Sequence, residues 1–200
     1  QYASRMEIIR RYYNCLCDQK RTGVNSQEIY KLELLMNQAG ITPASRPVVN
    51  AALEKSAVNG DKPAVAIELN NGCVVTGKTG ELLGAASSAL LNALKELAGI
   101  DDEIDIISPE AISPIQTLKT NYLGSRNPRL HTDEILIALS SSVIDNPLAD
   151  KALKQIPYLN GCDVHSTVIL SSVDKDTLGR LGMNLTCEPE YEEEKRFHKN

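Results

Sequence analysis

The 200-residue chain lacks the features that mark several large classes of protein. It has no run of about 18 apolar residues, so nothing in it reads as a transmembrane helix. Its start, QYASRMEIIRR, has no apolar core of the kind that directs export, and the expected location is the cytoplasm. Five cysteines (Cys15, Cys17, Cys73, Cys162, Cys187) form no CxxC pair and are odd in number, which argues for reduced thiols rather than a disulfide framework or a zinc ribbon. Positive charge is also short. A net charge of −5 argues against a nucleic-acid surface, because phosphate backbones are held by clustered Lys and Arg, and leaves room for a local anion site. Histidine is scarce, at three residues, and no spacing among His, Cys and acidic residues specifies a metal or names a cofactor.

What is present is 42% apolar content, enough for a real core. The chain opens directly into an amphipathic segment without an initiator Met, so it is expected to be a fragment of something longer. Met6, Ile9, Tyr12 or Tyr13, and Leu16 recur at helical spacing, and Arg-Thr-Gly at 21–23 ends that segment. A second helix, capped by Asn25 or Ser26, runs through Ile29, Leu32 and Leu35 to Gly40; Ser45 and Pro47 open a third, closed near Gly60. At GDKP (60–63) helical spacing gives way to strand spacing. The expected division is therefore a helical unit over 1–62, an α/β unit over 63–190 and a charged tail over 191–200 that includes His198.

The stretch GCVVTGKT (72–79) satisfies the phosphate-loop pattern G-x-x-x-x-G-K-[ST] letter for letter. Its surroundings do not suit one. AVAIEL and CVVT flank an Asn-Gly pair, a strong hairpin signal, so Gly72 reads as the turn glycine and 73–76 as the return strand. A nucleotide triphosphatase is not expected. A long helix should follow, with Thr79 as its cap and Glu81 in its first turn, and the small residues Gly84 to Ala89 suggest close packing on a sheet. A second reading is that Lys78, Thr79 and the amides at the helix start bind an anionic group. Further on, IDIIS reads as a buried strand, SPE (108–110) as a helix cap, and NPRLHTDEILIALSSS as a turn through Arg126 and Arg129 into a helix capped near Thr132. NPLADKALKQI reads as a helix, GCDVHSTVILS as the longest later strand, DKDTLGRLG as a short helix and NLTCEP as a last strand.

Two histidines are candidates for chemistry. His131 precedes a helix, beside Arg129, Asp133 and Glu134, and is either an exposed loop residue or an acid, base or ligand in a polar site. His165 lies in a predicted strand, where alternation puts Asp163, His165 and Thr167 on one face and Cys162, Val164 and Ser166 on the other. Asp163 is thus placed to orient His165, while a Cys–His nucleophile pair is poorly supported. A buried structural histidine is an equal alternative. The candidate catalytic groups are His131, His165 and Asp163; the candidate anion-binding groups are Lys78, Thr79, Arg129 and Ser166. Helix starts at Thr79 and near Thr132 would both offer unpaired amides if they face one cleft.

The order hairpin, helix, strand, helices, strand resembles the layered α/β topology of cytidine deaminase-like domains. Zinc deaminases place H-x-E at the helix after the hairpin and P-C-x-x-C at the next strand–helix junction. Here those places read TGELLG and SPEAIS, without His or Cys. At VVTGKTGELLGAASSALLNALKELAGID, NPRLHTDEILIALS, GCDVHSTVILS and NLTCEPEY the chain is similar to the C-terminal part of a bacterial family called domain of unknown function 1846. That resemblance implies a preceding Rossmann-like portion, then a helical subdomain and a three-layer α/β subdomain of deaminase-like topology. It places Lys78, Thr79, His131, Asp133, Glu134, His165 and Ser166 in family motifs and assigns none of them a role. Two functions follow: part of a cytoplasmic enzyme binding an anionic or phosphorylated small molecule, with a homo-oligomer expected, or a non-catalytic assembly module.

Overall fold

The computed structural model describes residues 2–192. Its first three helices are α1 (Tyr2–Thr22), α2 (Ser26–Ala39) and α3 (Pro47–Val58). Along α1 the buried stripe is Met6, Ile9, Tyr13 and Cys17, one residue around from Leu16; along α2 it is Ile29, Leu32 and Met36, with Leu35 turned outward. Both choices follow from what lies beneath. Met6, Ile9 and Tyr13 pack with Met36, Ile41 and Val49, so the helices roll until their longest side chains meet.

Beyond Pro63 the chain forms a hairpin of β1 (Ala64–Glu68) and β2 (Val74–Lys78), paired antiparallel from Ala64 opposite Lys78 to Glu68 opposite Val74. Gly72 has φ 83°, the left-handed conformation that the Asn-Gly turn requires. Two further strands, β3 (Asp163–Ser166) and β4 (Asn184–Cys187), complete a four-stranded sheet in the order β2-β1-β3-β4; β3 runs antiparallel to β1 and parallel to β4. Between the hairpin and β3 lie α4 (Ala85–Ala98), α5 (Pro109–Thr117), α6 (Thr132–Ser142) and α7 (Pro147–Leu153); α8 (Ser172–Arg180) joins β3 to β4.

Strand alternation divides the core. Val65, Ile67 and Val164 point into the main cluster with Leu90 and Leu94 of α4, Ile135 and Leu139 of α6 and Leu178 of α8. Ala66 points the other way, and its small side chain lets Val48 and Ala52 of α3 sit on the sheet. Helices therefore cover both faces, and no strand among the described residues comes from 1–60. The architecture is α/β with a mixed sheet.

The phosphate-loop letters fall where the hairpin reading puts them. Gly77 and Lys78 are strand residues, and a Cβ built on Gly77 would lie 2.7 Å from Ala89 Cα and Ser88 C and nearer still to the Ala89 nitrogen. That glycine exists so that α4 can lie against β2. Several local expectations need correction. The helix after the hairpin starts at Ala85 behind Gly84, not at Thr79, because residues 79–84 first bridge to Leu130: Leu130 N donates to Leu82 O (2.9 Å) and Gly84 N to Leu130 O (3.3 Å). Residues 104–108 form no strand; the Asn146 side chain occupies Ile106 O (3.3 Å) and Ile106 and Ile107 are simply buried. The strand read from GCDVHSTVILS stops at Ser166, since its hydroxyl bonds Val168 O (2.7 Å) and folds the chain back. The caps Ser108 and Asn146 do accept from Ala111 and Leu148 amides as expected. His198, with 193–200, lies outside the described residues.

Candidate functional site

The bridge between Leu83 and Leu130 has a consequence for chemistry: it sets the first turn of α4 beside the first residue of α6. Ser87 reinforces it by donating to Leu130 O at 2.9 Å. Between these helix starts and the chain after β3 lies a cleft of about 190 Å³, lined by Thr79, Gly84, Ala85, Arg129, His131 and Asp174 among others. Gly84 caps α4 without a side chain to offer, so the first amides of that helix have no side-chain acceptor at the cap. The α6 start is different. His131 N donates to Glu134 Oε1 (3.0 Å), and Thr132 donates through both N (2.9 Å) and Oγ1 (2.8 Å) to Asp174 Oδ1. The expectation of unpaired amides at Thr132 is thus corrected: two carboxylates already satisfy that end.

Asp174 is the group that sequence reading missed. Its second oxygen lies 3.3 Å from His131 Nδ1 and accepts from Ser171 Oγ at 3.2 Å. Ser171 also caps α8, accepting from Asp174 N at 3.2 Å. The Ser-x-x-Asp spacing of 171–174 is a helix-start signature and would have marked both residues. Burial would raise the Asp174 pKa, but hydrogen bonds from His131 and from Thr132 outweigh it and the carboxyl is held below its usual range. For His131 the bond to Asp174 is the largest influence; it exceeds the opposing effect of burial and raises the imidazole above 6.5. Nδ1 faces the carboxylate, and Nε2 has no partner among the described residues. A histidine oriented in this way by a carboxylate is able to give or take a proton at Nε2 near neutral pH.

Arg129 is anchored rather than floating. Its Nε donates to Gly80 O (2.6 Å), its NH1 lies 3.7 Å from Glu192 Oε1, and its carbonyl accepts from buried Lys119 at 2.5 Å. Lys119 also pairs with Glu134 at 2.9 Å, so one ammonium ties the Arg129 backbone to the carboxylate that holds His131 N. Arg126 and Arg129 continue into an open adjoining cleft of about 850 Å³, which Glu81, Tyr191 and Glu192 also line.

The remaining candidates stand elsewhere. Lys78 Nζ donates to Asn59 Oδ1 at 2.7 Å, beyond the end of α3. Ser166 is buried, its hydroxyl bonded to Val168 O. Asp163 and His165 share a sheet face, but that face is covered by α1 and α3. Asp163 pairs with Arg46 at 3.2 Å, whereas His165 places Nδ1 2.7 Å from Thr186 Oγ1 and Nε2 3.1 Å from Glu188 Oε1. The Tyr13 ring lies over His165 at 4.9 Å and its hydroxyl donates to Glu188 at 3.0 Å. Arg46, fully buried, donates to Thr186 Oγ1, Val164 O (3.1 Å) and Asn184 O (2.6 Å). Burial lowers the His165 pKa against the pull of Glu188, so it is neutral at pH 7, consistent with Nε2–H donating to Glu188 and Nδ1 accepting from Thr186. This network joins the N-terminal helices to the sheet. Nothing local in the sequence brings together residues separated by 140 positions, such as Arg46 and Thr186.

Among the described residues no group of three or more His, Cys, Asp or Glu side chains is placed to hold a metal ion, and no helix is long and apolar enough to cross a membrane. The five cysteines are free thiols.

The fold and the cleft define a mixed α/β protein with a carboxylate-oriented histidine beside an open helix start. Residues 44–197 match the family domain described as Domain of unknown function DUF1846, C-terminal, and the chain belongs to that family. A "UPF0371 protein" of Corynebacterium glutamicum (strain R) is 50% identical over 199 residues, covering 100% of this chain and 40% of the relative. A "UPF0371 protein" of Streptococcus pneumoniae serotype 19F (strain G54) is 48% identical over 197 residues, covering 98% and 40%. The chain spans about two fifths of the length of the curated relatives it matches.

Proposed function

We propose that this chain is the α/β part of a metabolic enzyme that binds an anionic, phosphorylated small molecule, with His131 as its proton-transferring group. The observation that carries this reading is the His131–Asp174 pair lining the same cleft as the first turn of α4 and Arg129. A glycine-capped helix start favours a negative group through its amides and dipole, and Arg129 adds a full positive charge beside it. His131 Nε2 then acts on the atom next to the anion as acid or base. The greater length of the relatives suits a site shared with another portion of the polypeptide, and the reading includes a cytoplasmic location and a joint near residue 62 between the helical and α/β units.

A deaminase-like topology belongs to this proposal. Its support is the antiparallel hairpin, with β1 antiparallel to both neighbours, followed by parallel β3 and β4 under helices. TGELLG (79–84) and SPEAIS (108–113) hold neither the histidine nor the cysteines of the zinc-deaminase motifs, and the chemistry proposed is proton transfer at His131. The competing reading, a homo-oligomeric assembly module, draws on exposed Leu118, Tyr122 and Leu123 after α5 and exposed Ile137 on α6.

Phosphate titration followed by NMR of the imidazoles separates the two. The His131 resonances should move with saturating phosphate, and Arg129→Gln should weaken the binding about tenfold or more, the range for a charged hydrogen bond. If His131 stays silent in both proteins, the assembly reading replaces this one.

A further inference from the structure

The wall of the cleft nearest Arg129 is made by the chain just after β4. Glu188 N donates to Ser166 O (2.9 Å) and Ile169 N to Glu190 O (2.7 Å), so residues 188–190 are pinned alongside the chain leaving β3. That anchorage delivers Glu192 to the place where the small cleft opens into the large one; it lines both, with its carboxylate 3.7 Å from Arg129 NH1. Arg129 is meanwhile fixed by Gly80 O on one side and through its own carbonyl by Lys119 on the other, so its guanidinium has a defined direction. A carboxylate thus stands against the one arginine that, among the described residues, lines both clefts.

We infer that Arg129 is the anion-recognising residue of this cleft and that Glu192 is its built-in competitor, a carboxylate that an incoming anion displaces. The inference rests on the anion-binding reading above and adds its regulation. Geometry favours displacement over permanent pairing: at 3.7 Å the contact is an ion pair without a short hydrogen bond, and the two side chains are 28% and 41% exposed. A phosphate that accepts two parallel hydrogen bonds from the planar guanidinium fork outcompetes such a contact. The ligand class that fits is a monoester or inorganic phosphate, which presents paired oxygens to the guanidinium while its remaining oxygen meets the α4 amides. Ligand affinity is then set by the strength of the Glu192–Arg129 contact as well as by the ligand.

Calorimetric titration of the 200-residue chain with inorganic phosphate tests this, using Glu192→Gln, Arg129→Gln and Glu103→Gln. Glu103 is exposed beyond the far end of α4 and controls for the loss of one negative charge. Glu192→Gln should tighten phosphate binding about two- to fivefold, the size expected for an exposed pair, while Glu103→Gln leaves it within error and Arg129→Gln weakens it about tenfold or more. Equal affinities for wild type and Glu192→Gln overturn the competition and leave the anion site standing. Equal gains from Glu192→Gln and Glu103→Gln overturn it as well, by reducing the effect to net charge. Absence of phosphate binding in wild type and Glu192→Gln alike overturns the anion site itself and the competition with it.

Discussion

Gly77→Ala separates a packing glycine from a phosphate-binding one. The new Cβ would lie 2.7 Å from Ala89 Cα, where ordinary contact begins at 3.4 Å, and still closer to the Ala89 nitrogen. Both obstacles are backbone inside α4, so no side chain can swing aside, and the helix must retreat by roughly 1 Å from β2. That movement loosens Ala86, Ala89, Leu90 and Ala93, which lie in the main cluster with Val65 and Ile67. Overpacking of this kind costs about 1–3 kcal/mol, and a backbone obstacle places Gly77→Ala near the upper end. At about 2–4 °C per kcal/mol for a domain of this size, the melting temperature should fall by roughly 6–12 °C. Gly80→Ala is the matched control. Nothing lies within 4 Å of its Cβ and its φ is not in the left-handed region, so it should stay within about 0.5 kcal/mol of wild type. Urea unfolding of the two variants decides the matter. Equal stability for Gly77→Ala and Gly80→Ala would refute the packing argument.

Lys78→Ala should leave calorimetric titrations with Mg-ATP and Mg-GTP unchanged, because its ammonium bonds Asn59 and the preceding residues are strand; micromolar binding lost in the variant would contradict this. The His131–Asp174 pair should give stability a two-sided pH dependence. His131 has a folded pKa above its unfolded value, so its contribution is complete below about 6.5 and is lost as pH rises through the raised value. Asp174 has a folded pKa below 3.8, so its contribution is present above that value and is lost as pH falls through the depressed one. Asp174→Asn should bring the His131 titration down, read by NMR against pH; an unmoved titration would show that the carboxylate does not govern it. Arg46→Met should cost about 3–5 kcal/mol in urea unfolding, since it leaves Asp163 and two β-strand carbonyls without their cation, and a loss below about 1 kcal/mol would show that water replaces it.

The strand-forming runs AVAIEL and CVVT and the Asn-Gly pair determined the hairpin, and with it the dismissal of the phosphate loop, because short turns and period-two strands depend on neighbours in sequence. The three N-terminal helices and the Ser108 and Asn146 caps were legible for the same reason. His131 was visible as a histidine ahead of a helix with acidic residues. That it pairs with Asp174 was not, since those residues lie 43 positions apart and meet only because β3 and α8 return the chain to α6. The start of α4 was misplaced because the Leu83–Leu130 bridge, a tertiary pairing, takes up the residues that local capping rules assign to a helix. His165 shows the division within one residue. Its strand and its shared face with Asp163 follow from periodicity, but its closure beneath Tyr13 and between Thr186 and Glu188 depends on which helices cover that face, and only packing energy summed over the whole molecule settles that.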